Sequence, residues 1–155
     1  LDGLMRACLV LFAFLFISSS AQAQNDLGIG IMLGEPSGIS AKQWISRTTA
    51  IDAGFAWSFA NDTAIQLHAD YLRHRVYLFE TDDFESRIPV YYGLGVKTTL
   101  GDDPTVGIRF PVGVGKTFRD QPVELFLEIV PILDIAPNSD FAINAAIGAR
   151  YYFNR

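Results

Sequence analysis

Nine charged or ionisable side chains have residue types and positions that could support chemistry. They are Lys42, Asp52, His68, Asp70, Lys97, Arg109, Glu124, Glu128 and Arg150. Each falls on the polar side of a segment in which polar or small residues alternate with large apolar ones. Acids and bases are equal in number within this set. Because enclosed charges are tolerated only when paired and hydrogen-bonded, we predict an ionic network that fills the interior of a barrel. A gated polar pathway and a proton or metal site are the alternatives.

Two smaller groups of these residues could suggest catalysis or metal binding. Ser58, His68 and Asp70 have the residue types of a catalytic triad, but a triad is defined by geometry that spacing does not supply. His68 and His74 share one side of a predicted strand. At roughly 3.3 Å per residue they stand about 20 Å apart, too far to bind one metal ion together. We therefore predict no catalytic, cofactor-binding or metal site, and a lipid-modifying enzyme remains the less favoured alternative.

The sequence predicts that short strands hold these residues in place. Apolar and polar residues alternate with period two after residue 24, and turn residues interrupt the alternation at intervals. No segment there carries apolar residues at the spacing of a helix face over three turns. We predict eight antiparallel strands over residues 27–34, 38–45, 50–59, 63–75, 87–100, 105–118, 123–133 and 141–153. The segment 76–86 is either a loop or the extension of the two flanking strands into a hairpin.

The first 23 residues have the pattern of a cleaved signal peptide. Met5 and Arg6 precede an apolar stretch at 7–17, and an A-x-A cleavage site ends at Ala23. The stretch is much shorter than the roughly 20 residues that a spanning helix needs. We predict an exported chain whose barrel domain is 24–155, with residues 1–4 upstream of the signal. The single cysteine, Cys8, falls within the signal, so no disulfide or cysteine-bound metal is expected.

The two faces of the predicted strands differ in size as well as in polarity. Large apolar residues such as Ile143 and Ile147 line one face of the last strand, whereas glycine, alanine and Arg150 line the other. The chain is 19% charged, against roughly 25% in an ordinary soluble domain. The polar face is too small and too rich in glycine for a solvated exterior, and it fits the narrow lumen of an eight-stranded barrel. The apolar face would then contact lipid, where a charge near the midplane costs about 2–4 kcal/mol.

These properties define a class of protein. A formal net charge of −5, without any run of lysine or arginine, argues against a nucleic-acid partner. A sheet in lipid must close into a ring, because lipid cannot form hydrogen bonds with an open edge. We predict an all-β, eight-stranded antiparallel up-and-down transmembrane β-barrel with both termini in the periplasm. A narrow channel for small solutes or ions, and a soluble periplasmic carrier of lipocalin shape, are the alternatives.

Aromatic residues add a second, more local signal. Several of them, including Trp44, Tyr91 and Tyr152, lie towards strand ends and fit a girdle at the membrane interface. At the C-terminus, Gly148, Tyr151 and Phe153 resemble the closing-strand signal of outer-membrane barrels. In that family the barrel-assembly machinery reads the signal, so the resemblance implies this machinery as a partner during biogenesis.

The chain from 27 to 153 is also similar to a group of small, largely uncharacterised bacterial outer-membrane proteins. The segments that carry the similarity are GIGIMLGEPSGISAKQW (28–44), IPVYYGLGV (88–96), GIRFPVGVGKTF (107–118), FLEIVPILDIAP (126–137) and AAIGARYYF (145–153). The resemblance implies an eight-stranded barrel in the outer membrane of a Gram-negative-type envelope, without an established reaction or ligand. We expect a monomer surrounded by lipid, with no cofactor and a structural or interaction role.

Overall fold

The computed structural model describes residues 26–35, 37–58, 64–77, 88–118 and 120–153. The predicted signal peptide lies outside these residues. Within them the chain forms antiparallel strands, which are β1 (Leu27–Glu35), β2 (Ser37–Trp44), β3 (Thr49–Ser58), β4 (Ala64–Tyr77), β5 (Pro89–Leu100), β6 (Thr105–Arg109), β7 (Val112–Thr117), β8 (Val123–Ala136) and β9 (Asp140–Tyr152). The described residues contain no helix that is long and apolar enough to cross a membrane. The predicted all-β antiparallel fold is confirmed.

The strand order closes on itself. It runs from β4 through β3, β2, β1, β9 and β8 to β6 and β7, which both pair with β5, and β5 pairs in turn with β4. Because the two ends of the order are hydrogen-bonded to each other, the sheet forms a ring. Closure of this kind leaves no open edge. Successive side chains along each strand therefore point alternately into the ring and away from it.

The described residues form nine strands where eight were predicted, because the predicted strand 105–118 is divided. β6 ends at Arg109 and β7 begins at Val112, yet both lie between β5 and β8. Pro111 has no N–H group, so it cannot donate a hydrogen bond to the ladder. The chain nevertheless stays in line, since the Phe110 N–H donates to the Pro131 carbonyl and the Gly93 N–H to the Pro111 carbonyl, each at 2.9 Å. β6 and β7 thus occupy a single position in the ring.

Two strands run at least two residues further than predicted. β8 continues to Ala136, which adds Asp134 to the strand. β4 continues to Tyr77, where Val76 pairs with Val90 and Tyr77 with Pro89. This part of the ambiguous segment 76–86 therefore extends the two strands, and residues 78–87 lie outside the described residues.

The two faces of the ring differ as the alternation predicts. Along β8, Phe126 and Glu128 are buried, whereas Leu127 and Ile129 are about half exposed. Met32, Ala56 and Phe126 form a small buried apolar cluster inside the ring. On the described strands, large apolar side chains thus lie mainly on the outside, and most charged side chains lie inside.

The ring has two open ends, a terminal end and a distal end. At the terminal end β1 begins and β9 ends, and residues 45–48 and 120–122 also lie there. β1, β3, β5 and β8 end at the distal end.

Candidate functional site

The interior of the terminal half is organised around Glu124. One carboxylate oxygen, Oε1, accepts a hydrogen bond from the Lys42 ammonium at 2.8 Å. The other, Oε2, accepts from the Tyr152 hydroxyl at 2.7 Å and from Arg150 Nη1 at 3.3 Å. The Lys42 ammonium also lies 3.0 Å from His74 Nε2. The single carboxylate therefore links side chains of β2, β8 and β9.

Arg150 joins this carboxylate to a second one. Its Nη2 donates to Asp52 Oδ2 at 2.5 Å and its Nε donates to the Ser40 hydroxyl at 2.9 Å. The Ser40 hydroxyl donates in turn to Asp52 Oδ1 at 3.3 Å. The guanidinium carbon lies 3.8 Å from the centroid of the Phe126 ring, so one face of the group is covered by an aromatic surface. Each of the three guanidinium nitrogens of Arg150 thus donates a hydrogen bond to a neighbour inside the ring.

A similar set of contacts surrounds Arg109. Its Nε donates to both oxygens of Asp70, at 2.9 and 3.1 Å, and its Nη2 donates to Glu128 Oε1 at 3.4 Å. The Tyr91 hydroxyl donates to Glu128 Oε2 at 2.9 Å. These contacts connect β4, β5, β6 and β8. The arrangement has the same chemistry as the group around Arg150, in which one arginine serves two carboxylates.

Lys97 and Asp134 form a separate pair in the distal half. Their charged atoms are 3.0 Å apart, and their side chains are 9% and 15% exposed. Lys97 belongs to the set predicted from the sequence, whereas Asp134 was missed because the predicted strand stopped at residue 133. The alternation along β8 that selects Glu124 and Glu128 also selects Asp134, once the strand is extended.

His68 is the member of the predicted set that stands apart. It is 3% exposed, and its ring lies so close to Gly54 that a Cβ atom there would collide with it. Its Nδ1 has no hydrogen-bond partner among the described residues. Asp70 is bonded to Arg109 and not to His68. The hydrogen bond between His68 and Asp70 that a triad needs is therefore absent among the described residues. The side chain of Ser58 is not among the side chains that the structure describes.

No group of three or more histidine, cysteine, aspartate or glutamate side chains suited to a metal ion occurs among the described residues. The carboxylates of the network are instead directed at lysine, arginine and tyrosine. Chemically, this arrangement can hold the strands in register and occlude the lumen.

Several interior residues were not in the predicted set. Tyr91 and Tyr152, which the sequence suggested for an interfacial girdle, are 0% and 1% exposed and belong to the network. This expectation was wrong for both, because each shares the inward side of its strand with a charged residue. Tyr91 is an even number of residues from Lys97, and Tyr152 is an even number from Arg150. This spacing in the sequence could have predicted that both tyrosines point inward. Ser40 and His74 are buried inside by the same rule.

The residues of the predicted closing-strand signal lie on both faces of β9. Tyr151 and Phe153 point outward, are about half exposed, and contact each other edge to face with ring centroids 5.3 Å apart. Gly148 points inward, where a Cβ atom would collide with the Phe126 ring and the Ile31 carbonyl. Recognition of these residues by an assembly machinery stays a prediction.

A closed antiparallel ring of strands with charged side chains inside defines the class of β-barrel domains. Among solved structures, the chain is similar to the N-terminal β-barrel domain of OprF from Pseudomonas aeruginosa, with a TM-score of 0.62 and 14% identity. The similarity covers 85% of this chain and 100% of that domain. No family model matches the chain, and no curated protein matches it. At this identity the likeness shows the fold, which is that of a β-barrel domain.

Proposed function

We propose that this protein is an integral outer-membrane β-barrel with a closed, charge-paired lumen and a structural or interaction role in the cell envelope. The observation that carries the proposal is the outer surface of the ring. Its exposed large side chains are apolar along most strands, and they include Ile29, Ile31, Leu33, Ile39, Phe55, Leu94, Val96, Leu125, Leu127, Ile129, Ile143 and Ile147. Monomeric soluble proteins rarely expose continuous apolar patches above a few hundred Å². A surface of this kind is stable when lipid surrounds it.

The interior supports the same proposal. In a soluble carrier of lipocalin shape, the apolar residues would line the cavity and the charges would face water. Here the distribution is reversed, since Lys42, Arg109 and Arg150 are all buried inside the ring. Such charges are stable only where they are paired, as the contacts of Glu124, Asp52 and Asp70 provide.

Occlusion of the lumen favours a structural role over transport. Lys42 and Arg150 are 0% and 2% exposed, and Tyr91 and Tyr152 are 0% and 1% exposed, as expected where side chains fill the interior. An eight-stranded ring is only wide enough for its own side chains to fill it. The alternative is a narrow channel, and a conductance measurement distinguishes it from a structural barrel.

The location in the outer membrane is part of the proposal. OprF, whose barrel domain shares the fold, is an outer-membrane protein. Export by the signal peptide at residues 1–23, folding by the barrel-assembly machinery and a monomeric state in lipid complete the proposal. It includes no catalytic activity and no cofactor.

The first experiment is gel mobility of the detergent-extracted mature protein with and without boiling. A closed barrel migrates as a compact form until it is heated, so we expect two positions for one polypeptide. Recovery of the protein in the soluble periplasm without detergent would contradict the proposal. In planar bilayers we expect a flat current trace, and discrete conductance steps would favour the channel.

A matched pair of substitutions tests the lipid-facing surface directly. Ile129 lies near the middle of β8 and Ile135 near its distal end, and both point outward with 52% and 50% exposure. We expect Ile129→Arg to lower the free energy of unfolding by about 2–4 kcal/mol and Ile135→Arg by about 0–1 kcal/mol, because the cost of arginine depends on depth in the bilayer. Urea titration in lipid vesicles measures both. Equal effects of the two substitutions would argue against a membrane-embedded outer face.

A further inference from the structure

The two ends of the ring carry opposite charges among the described surface residues. At the distal end the exposed charged residues are acids, namely Glu35, Asp102, Asp103 and Asp140. At the terminal end the exposed or half-buried charged residues that face outward or lie in the connections are Asp26, Arg47, Arg73, Arg75, Lys116 and Asp120. Basic residues thus concentrate at one end, and three of them stand on strands.

Arg73 and Arg75 lie on the outer face of β4, where its apolar part ends. Both are exposed, and the buried His74 between them points into the lumen. Arg73 pairs directly with Tyr92 of β5, which is 47% exposed on the same face. The ladder between β4 and β5 has an irregularity between His74 and Val76, so Arg75 sits at a bulge. Bulges commonly redirect a side chain relative to its neighbours.

Lys116 completes the arrangement from the other side of β5. It lies on β7 two residues beyond Val114, which pairs with Val90 of β5, so all three share the outer face. Adjacent strands are about 4.8 Å apart, which places β4 and β7 about 10 Å from each other. The Lys116 ammonium lies 6.0 Å from the centroid of the Phe118 ring. Cations therefore border an apolar strip formed by Val90 and Val114.

We propose that this basic rim, defined as Arg73, Arg75 and Lys116, binds the phosphate headgroup of an anionic phospholipid whose acyl chains lie along the apolar strip. The inference rests on the proposed membrane location. Guanidinium groups bind phosphate through paired hydrogen bonds, and basic residues at a membrane surface attract anionic lipids. An even number of ring positions places both termini in the periplasm. The rim then meets the periplasmic leaflet, which is made of phospholipid.

The experiment compares lipid preference in the wild-type protein and in a double variant. The mature protein is reconstituted in nanodiscs that contain phosphatidylcholine and phosphatidylglycerol, and native mass spectrometry measures the relative association constant of the two lipids. We expect the wild type to prefer phosphatidylglycerol, and Arg73→Gln/Arg75→Gln to reduce the preference by about fivefold per arginine. Asp102→Asn/Asp103→Asn changes the net charge by the same magnitude in the opposite direction, at the distal end, and it should leave the preference unchanged.

Three outcomes would overturn the inference. The first is a wild type with no preference for phosphatidylglycerol. The second is a double variant that is destabilised equally in neutral and anionic vesicles, because the arginines would then pair within the protein. The third, measured in nanodiscs to which lipid A is also added, is a preference for lipid A over phosphatidylglycerol, which would assign the rim to the other leaflet. Failure of the proposed function is distinguished separately, since the protein would then not show heat-modifiable mobility in neutral vesicles.

Discussion

The two halves of the lumen use the same residue types in different ways. In the terminal half, Arg150 contacts Asp52, Glu124 and Ser40, and every one of these side chains is buried. In the distal half, Lys97 forms an ion pair with Asp134, and both side chains are partly exposed. The small apolar cluster of Met32, Ala56 and Phe126 also lies inside the ring.

This difference shows what makes a charge in the lumen structurally important. A buried ion pair is expensive to form because both ions lose water, and it is far more expensive to break by removing one partner. A pair that water reaches contributes little, because the solvent replaces the missing partner. The energetic cost of a substitution should therefore follow the number of buried partners, and the following variants test that rule.

The largest effect is expected for Arg150→Met. Asp52 forms its ion pair with Arg150, so the substitution leaves a buried carboxylate without a cation. We expect the free energy of unfolding to fall by about 3–5 kcal/mol. Urea titration in vesicles measures the loss, with Arg47→Met in the exposed connection 45–48 as a control near zero. A loss below about 1 kcal/mol would contradict the rule that the cost follows the number of buried partners.

The next largest effect is expected for Tyr152→Phe. The Tyr152 hydroxyl donates to the Glu124 carboxylate at 2.7 Å and accepts from the Trp44 indole at 3.2 Å. Loss of a hydrogen bond to a charged group costs about 1.5–3 kcal/mol. Tyr151→Phe changes the same atoms on the outer face, where the side chain is about half exposed, and should have almost no effect. Equal losses for the two variants would contradict the assignment of Tyr152 to the interior network.

A small effect is expected for Lys97→Met. The ammonium of Lys97 has one acidic partner, Asp134, and water reaches both side chains. We therefore expect a loss of about 1 kcal/mol or less, measured by the same urea titration. A loss comparable to that of Arg150→Met would show that the distal pair is as important as the terminal network.

The smallest perturbation is expected for a test that compares how readily solvent reaches the interior of the two halves. The sequence contains the single cysteine Cys8, so a chain that lacks it carries only an introduced thiol. Asn144→Cys places the thiol inside the distal half, and Ala50→Cys places it inside the terminal half, where Ala50 is 0% exposed. We expect a charged thiol reagent to label the distal site at least about tenfold faster, because thiol reactivity follows exposure. Equal rates would indicate that water enters both halves alike.

Most of the strand pattern could be predicted, because period-two alternation is a local property of the sequence. The bounds of β1 differ from the prediction by one residue and those of β9 by one at each end. The division at Pro111 was missed, although a proline inside a strand is itself a signal of an interrupted ladder. The interior position of Tyr91 was missed because aromatic residues were assigned by their distance from strand ends instead of by parity.

Which side chains share the interior follows from the order of residues along each strand. Inward residues recur at every second position, and a one-residue shift would move the charges to the apolar outer face, so the alternation fixes the choice of face. Which acid meets which base depends instead on how the strands come together. Lys42 and Glu124 are separated by 82 residues and Arg150 and Asp52 by 98, and these pairs meet because the ring closes with a particular register between β1 and β9 and between β4 and β5. Register is a property of the closed ring, and no single strand carries it.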